Sequence, residues 1–370
     1  MKVTWDQVLA WRLERQFVDP RTDAGAGEII GRLCGVQAQV ASAARLSVAL
    51  RQRTPQLDAI SAGLRDGSLV KTWAMRGTLH VARSSEIGSY LALIASARTW
   101  AKPAWQRSFG ATPDDIDALA DAVSEILDGV ALTRPELITR LTADPRFARL
   151  EDALRSGWGT LLKPLAWQGA LCHGPSQGTK VTFTRPASAI PGWRGLPEPD
   201  EAAPAVIAAY LGAYGPSTPA RFDAWLTRGS LRKTVVREWF QAMGDRLTEV
   251  DVGGESRFIL AEHADALGAG AASRSVRLLG GFDQYVLGPG TNETAMLPAE
   301  HRARVSRAAG WISPVVVAGG RIAGVWEIVA DAFAVTMFSG FDVPPKQALA
   351  AEVAHVARAS GRSGLGVRIA

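Results

Sequence analysis

Residues 68–83 read SLVKTWAMRGTLHVAR. Two runs rich in β-branched and aromatic residues flank Arg76-Gly77, the pattern of a β-hairpin. What precedes the hairpin decides which fold it belongs to. GEIIGRLCGV (27–36), ASAARLSVALRQR (41–53) and TPQLDAISAGLRDG (54–67) carry helical periodicity. Further upstream, TWDQVLAWRLERQ (4–16) opens on the cap candidate Thr4 and places Trp5, Val8, Leu9 and Leu13 on one stripe. Helices followed by a two-stranded wing make the winged form of the helix-turn-helix, a unit that often sets one helix in a DNA groove.

The same grammar recurs. TPDDIDALADAVSEILDG (112–129), LTRPELITRLTAD (132–144) and LEDALRSGWGTLLKPLAWQGAL (150–171) predict helices, the last kinked at Pro164, before the turn and strand of CHGPSQGTKVTFTRP (172–186). After a Pro-rich connector, RPASAIPGWRGLPEPDEAAP (185–204), a third set of helices leads to RLTEVDVGGESRFIL (246–260), a hairpin turning at Gly253-Gly254. The last hundred residues change character. SVRLLGGFDQYVLG, GWISPVVVAGGRIAGVWEIV and AFAVTMFSGF are β-rich, and a helix KQALAAEVAHVARASG follows. The expected class is therefore α+β: three tandem winged helix-turn-helix units (1–108, 109–198, 199–270) in a curved arrangement, plus a small, barrel-like C-terminal antiparallel β domain (271–370) ending in a helix.

Composition narrows the function. The chain has 370 residues, 47% of them hydrophobic, and a mean hydropathy of +0.04, with no apolar run long enough to span a bilayer. Its N-terminus is charged throughout, unlike a signal peptide, so the expectation is a soluble protein of the cytoplasm and nucleoid with no membrane partner. Cys34 and Cys172 lack metal-ligand spacing. Forty-one Lys plus Arg against 36 Asp plus Glu give +5, which favours an anionic partner mildly.

Several motifs invite chemistry. Gly174-Pro175-Ser176-Gln177-Gly178 matches G-x-S-x-G, but it lies between a helix and a strand, the reverse of a nucleophile elbow, and reads as the turn of a wing. Glu352 and His355 form a Glu-x-x-His pair without a second copy, which reads as a surface pair. No Walker loop or dinucleotide fingerprint is present. Within 71–83, Lys71, Arg76, Thr78, His80 and Arg83 gather cations, a hydroxyl and an imidazole, with Trp73 as a stacking or packing platform. On an extended strand Arg76, Thr78 and His80 share one face, either toward a ligand or simply toward solvent. Gln37 and Gln39 stand two apart among apolar residues. They are polar tips at a helix end, or they serve one purpose and the chain there is extended.

In these motifs the sequence resembles the winged-helix DNA glycosylases grouped around AlkZ and YcaQ. The resemblance rests on VQAQV followed by ASAARLSVALR, on TWAMRGTLH, and on FDQYVLG with GWISPVVVAGGRIAGVW, in order along nearly the whole chain. The Gln-x-Gln pair is that of the AlkZ branch, where YcaQ has Gln-x-Asp. The resemblance implies a monofunctional enzyme, acting as a monomer without cofactor or metal. Its substrate would be double-stranded DNA carrying N7-alkylpurines or interstrand crosslinks, as in azinomycin-type self-resistance. Gln37 and Gln39 would be catalytic. Lys71, Arg76, Arg83 and Arg12 are then candidates for phosphates, and Thr78 and His80 for a groove edge or sugar. Two rivals stand beside this reading: a non-catalytic winged-helix transcriptional regulator, and a glycosylase working through a Lys71 Schiff base.

Overall fold

The structure, a computed structural model, describes residues 1–157, 159–329, 332–362 and 366–369. The chain is mixed α+β and divides into two compact units: Met1–Ile60, Ile207–Trp225 and Met243–Ala370 in one, Ser61–Val206 and Leu226–Ala242 in the other.

In the first unit, helix Trp5–Arg15 starts where the sequence predicts. Thr4 accepts from the Gln7 amide, and the Gln7 side chain accepts from the Thr4 N–H at 2.8 Å, a reciprocal cap. Its buried Val8 and Trp11 pack on a three-stranded sheet in which Lys2–Val3 runs parallel to Leu247–Val252 and Glu255–Leu260 completes the hairpin. Gly253 and Gly254 both have positive φ, 63° and 88°, as a two-residue turn matched to strand twist requires.

The C-terminal sheet has five strands in the order Val276–Leu279, Val315–Ala318, Arg321–Val329, Ala332–Met337, Gly366–Ile369. The first four are antiparallel and the last runs parallel to the fourth. Among the described residues the first and last strands do not pair, so the sheet is open rather than the expected barrel. Side-chain alternation decides its two faces. Val315 and Val317 join a core with Leu9, Leu13 and Tyr285, whereas Val316 faces Leu349, Val353 and Val356 of helix Lys346–Ala359. Glu352 and His355 are not the surface pair the sequence suggests; both are buried. Glu352 accepts from Arg21 at 2.7 Å and from the Leu278 amide at 3.1 Å, and His355 bonds the Leu50 carbonyl.

In the second unit, helices Pro113–Ile126, Arg134–Thr142 and Leu162–Trp167 share one core with the hairpin strands through Trp73 and Phe183. Thr112 and Thr133 cap the first two helices, each closed by an acidic residue three positions on. The hairpin pairs Leu69–Trp73 with Leu79–Arg83, from Leu69 opposite Arg83 to Trp73 opposite Leu79. G-x-S-x-G is a turn between strands Cys172–His173 and Thr182–Thr184. Three expectations differ. A helix Ser84–Ser96 follows the first hairpin directly and has no counterpart in the sequence reading. The helix expected over 150–171 is two, Glu151–Arg155 and Leu162–Trp167, interrupted before Pro164 in a stretch whose Trp158 lies outside the described residues. The connector also ends early, because helix Pro199–Tyr214 begins inside it, its first turn needing no amide from proline.

Candidate functional site

The segment holding the two glutamines takes its shape from the way the helix before it stops. Helix Ala26–Arg32 ends at Leu33. The Gly35 amide reaches back to the Ile30 carbonyl at 2.8 Å and the Cys34 amide to Gly31 at 3.0 Å, the paired bonds of a Schellman stop. Such a stop needs a left-handed residue, and here Cys34, at φ 54°, takes the place usual for glycine, with Gly35 at φ 95° after it. Tyr214 donates to the Leu33 carbonyl at 2.5 Å and fixes the turn from outside. The chain leaves it as the short strand Val36–Gln37 and re-enters helix at Ala41, with Val40 as N-cap.

Gln37 and Gln39 are therefore outside regular helix, as two residues serving one purpose require. Val36 and Ala38 are buried and Val40 packs against the core of the C-terminal sheet. Gln37 is 6% exposed, whereas Gln39 is exposed. One amide sits in the wall and the next stands at the surface.

The helix that follows, Ala41–Ala49, is held by a charge pair in the interior. Arg51 and Asp283 are both fully buried and meet in two 2.8 Å hydrogen bonds. Asp283 also accepts from Ser47 Oγ at 2.9 Å and the Tyr285 amide at 2.8 Å, and Arg51 donates to the Gln16 and Ser47 carbonyls. Every charged atom thus has a partner, the condition for an ion pair to stand in a core. The motifs ASAARLSVALR and FDQYVLG meet here, far apart in sequence. The sequence does not announce this pairing; its signal there is an arginine and an aspartate each set in an apolar run.

Arg12 belongs inside too. It is 1% exposed and donates to the Gly215 and Pro216 carbonyls at 3.0 and 3.2 Å, with Glu293 at 3.7 Å. Burial lowers its pKa against the pull of Glu293. Burial works against the Glu293 carboxylate in turn, yet Arg257, Arg12 and Arg221 leave its pKa below the ordinary value. The expectation that Arg12 meets a phosphate is corrected: it ties helix Trp5–Arg15 to the chain around residue 215.

The hairpin residues lie in the second unit. Arg76 has φ 57°, so it sits in the turn, not on a strand, and does not share a strand face with Thr78 and His80. Thr78 is half-buried, its hydroxyl on the Met75 carbonyl at 3.2 Å. His80 is 1% exposed, with Nδ1 on the Thr78 carbonyl at 3.0 Å; burial, with Arg76 nearby, pushes its pKa down to about 3. A buried neutral imidazole does not reach a groove, so His80 is corrected to a packing residue. Trp73 stacks on Phe183 at 5.8 Å and is 5% exposed, a packing role rather than a platform. Arg83 is exposed and pairs with Glu86 at 3.0 Å. Lys71 is half-buried, which lowers its pKa, and has no ion pair among the described residues.

A family model for the AlkZ-like DNA glycosylases matches residues 30–359. The chain belongs to the AlkZ-like DNA glycosylase family. A curated relative from Streptomyces sahachiroi, an interstrand DNA cross-link repair glycosylase, is 58% identical over 370 residues, covering the whole of both chains. The solved structure of the Streptomyces sahachiroi DNA glycosylase AlkZ superposes with a TM-score of 0.98, again at 58% identity and over the full length of each. The AlkZ-like fold thus accounts for both units, from the capped first helix to the C-terminal sheet. Among the described residues no helix is long and apolar enough to cross a membrane, and no cluster of His, Cys, Asp or Glu could hold a metal ion.

Proposed function

We propose that the protein is a monofunctional DNA glycosylase that hydrolyses the N-glycosidic bond of N7-alkylated purines and unhooks interstrand crosslinks. Family membership supports the reaction class. The observation that carries the site is the non-helical stretch from strand Val36–Gln37 through Gln39, which sets a nearly buried amide two residues from an exposed one.

Amides suit this reaction. Alkylation at N7 leaves a cationic purine, so when the C1′–N9 bond breaks its electron pair neutralises the ring and no acid is required. What remains is a water at the oxocarbenium-like C1′. A glutamine carbonyl accepts a hydrogen bond from that water while its NH2 donates elsewhere, which orients the water with little basicity. The water oxygen bonds C1′ and its proton passes to solvent. Bonds not already activated are left alone, so selectivity follows from weakness.

The helix groups that end in hairpins fit three winged-helix units bounded near residues 108, 198 and 270, with the C-terminal sheet beyond. Lys71, Arg76, Thr78 and Arg83 remain the candidates on the first wing for the DNA backbone, and the reading takes the protein as a monomer. The test is release of free base from a duplex with one N7-methylguanine. Wild type should produce abasic sites, and Gln37→Ala or Gln39→Ala should slow release by roughly 10²-fold or more. Absence of release by wild type removes the function, and full rate in the double variant removes the site. Borohydride trapping of a protein–DNA adduct would instead select the Lys71 Schiff base.

A further inference from the structure

Immediately after Gln39 the first unit opens into a pocket of about 470 Å³. That is within the range of roughly 300–1,000 Å³ typical of small-ligand sites. Its walls are apolar and aromatic: Val40 and Leu46 from the chain that leaves the glutamines, and Phe282, Trp311 and Trp326 from the C-terminal part. Two exposed arginines, Arg45 and Arg362, stand among the lining residues, and neither has an ion pair among the described residues. Asp58 is the one acid there, so the rim carries a positive excess.

Trp311 sets the character of the pocket. It is 46% exposed, although an indole is among the most costly side chains to leave in water. The exposure is built. Ser306 bridges Ile312, the Arg307 amide bonds the Trp311 carbonyl at 2.8 Å, and Ala309 and Gly310 turn the chain at φ 56° and 74°. Phe282, itself at φ 59° and 8% exposed, meets the indole edge-on at 5.0 Å and holds its orientation. Non-glycine residues in the left-handed region store strain and persist where a side chain must be aimed. A rigid exposed indole, an aromatic wall and unpaired arginines are the parts with which proteins hold an unstacked nucleotide, base on ring and phosphate on guanidinium.

We infer that this pocket receives a nucleobase displaced from the duplex stack beside the lesion, with Trp311 as its stacking surface and Arg45 and Arg362 as its phosphate contacts. The inference rests on the glycosylase reading above and extends it. The site next to the glutamines then holds DNA by stacking rather than by phosphate contacts alone.

Two measurements on the full chain test it. In single-turnover release from an N7-methylguanine duplex, Trp311→Ala should raise the half-saturating protein concentration about ten-fold or more, as loss of one stacked base does, with little change in maximal rate. Trp311→Phe should restore most of the loss, and Arg45→Ala should give a smaller rise. In parallel, 5-iodouracil at each position flanking the lesion should photocrosslink, from one position, to the peptide containing Trp311. Unchanged half-saturation in Trp311→Ala, a loss confined to maximal rate, or crosslinks that avoid residues 308–314 would each overturn the inference. So would a defect on crosslinked duplex with none on methylated duplex, which would make the occupant the crosslinking tether. If wild type releases no base, it is the glycosylase reading that fails; if wild type releases base and Trp311→Ala matches it, only the pocket does.

Discussion

Arg51 and Asp283 are a fully enclosed pair, and truncating either leaves the opposite charge buried without its partner. Such a loss costs about 3–5 kcal/mol. Arg51→Ala and Asp283→Ala should each lower the urea midpoint by that equivalent, whereas Arg51→Met with Asp283→Leu should lose much less than the two together. Base release should fall with the single changes below the unfolding transition, because helix Ala41–Ala49 begins two residues after Gln39 and stops two residues before Arg51. Equal losses in the double and the summed singles would show that the pair is not coupled. The glutamine pair stands out in the sequence because two polar side chains interrupt an apolar run, while the catalytic role proposed for it comes from the family resemblance. Arg12 does not stand out. Its partners, Gly215, Pro216 and Glu293, lie about two hundred or more positions away, and an arginine on a helix stripe looks the same in sequence whether it meets a phosphate or a carbonyl.

At the scale of elements, each of the two hairpins of the second unit carries a histidine, His80 buried and His173 half-buried. Burial pushes His80 down to about 3, with Arg76 adding to it, and pushes His173 down to about 3, with Lys71 and Arg134 adding to it. Their ordinary value in the unfolded chain is near 6.5, so between pH 6.5 and 3 the unfolded state binds protons that the folded state does not. Stability is complete above about pH 6.5 and falls as the solution is acidified, by roughly 1.4 kcal/mol per pH unit for a fully buried histidine. The denaturant midpoint should therefore drop between pH 7 and pH 5, and His80→Gln should flatten that drop; an unchanged slope would mean that His80 is protonated in the folded protein. The hairpins at Arg76-Gly77 in the second unit and at Gly253-Gly254 in the first could be read from sequence, because both turns need positive φ. Helix Ser84–Ser96 could not. Its Ile87, Tyr90, Leu91, Ala92, Leu93 and Ile94 are all buried, and an apolar run of that kind shows no period to separate helix from strand.

For the molecule as a whole, a net charge of +5 does not say where the cations available to DNA lie. Many exposed arginines are already neutralised by near neighbours: Arg53 by Asp23, Arg146 by Asp144, Arg149 by Asp115 and Arg155 by Glu151. Such pairs release few counterions when a phosphate arrives, since the carboxylate must first be displaced. Arg302 and Arg307 are different, exposed and without an ion pair among the described residues, on the segment that leads to Trp311. Binding to undamaged duplex should weaken steeply with salt. Arg302→Ala and Arg307→Ala should each reduce the slope of log K against log salt by about one, whereas Arg155→Ala should leave it unchanged. Fluorescence anisotropy between about 50 and 200 mM salt resolves a change of that size. A slope insensitive to Arg302 and Arg307 but reduced by Arg155→Ala would move the duplex to the face of the second unit that carries helix Glu151–Arg155, and would remove residues 302–311 from the DNA contact.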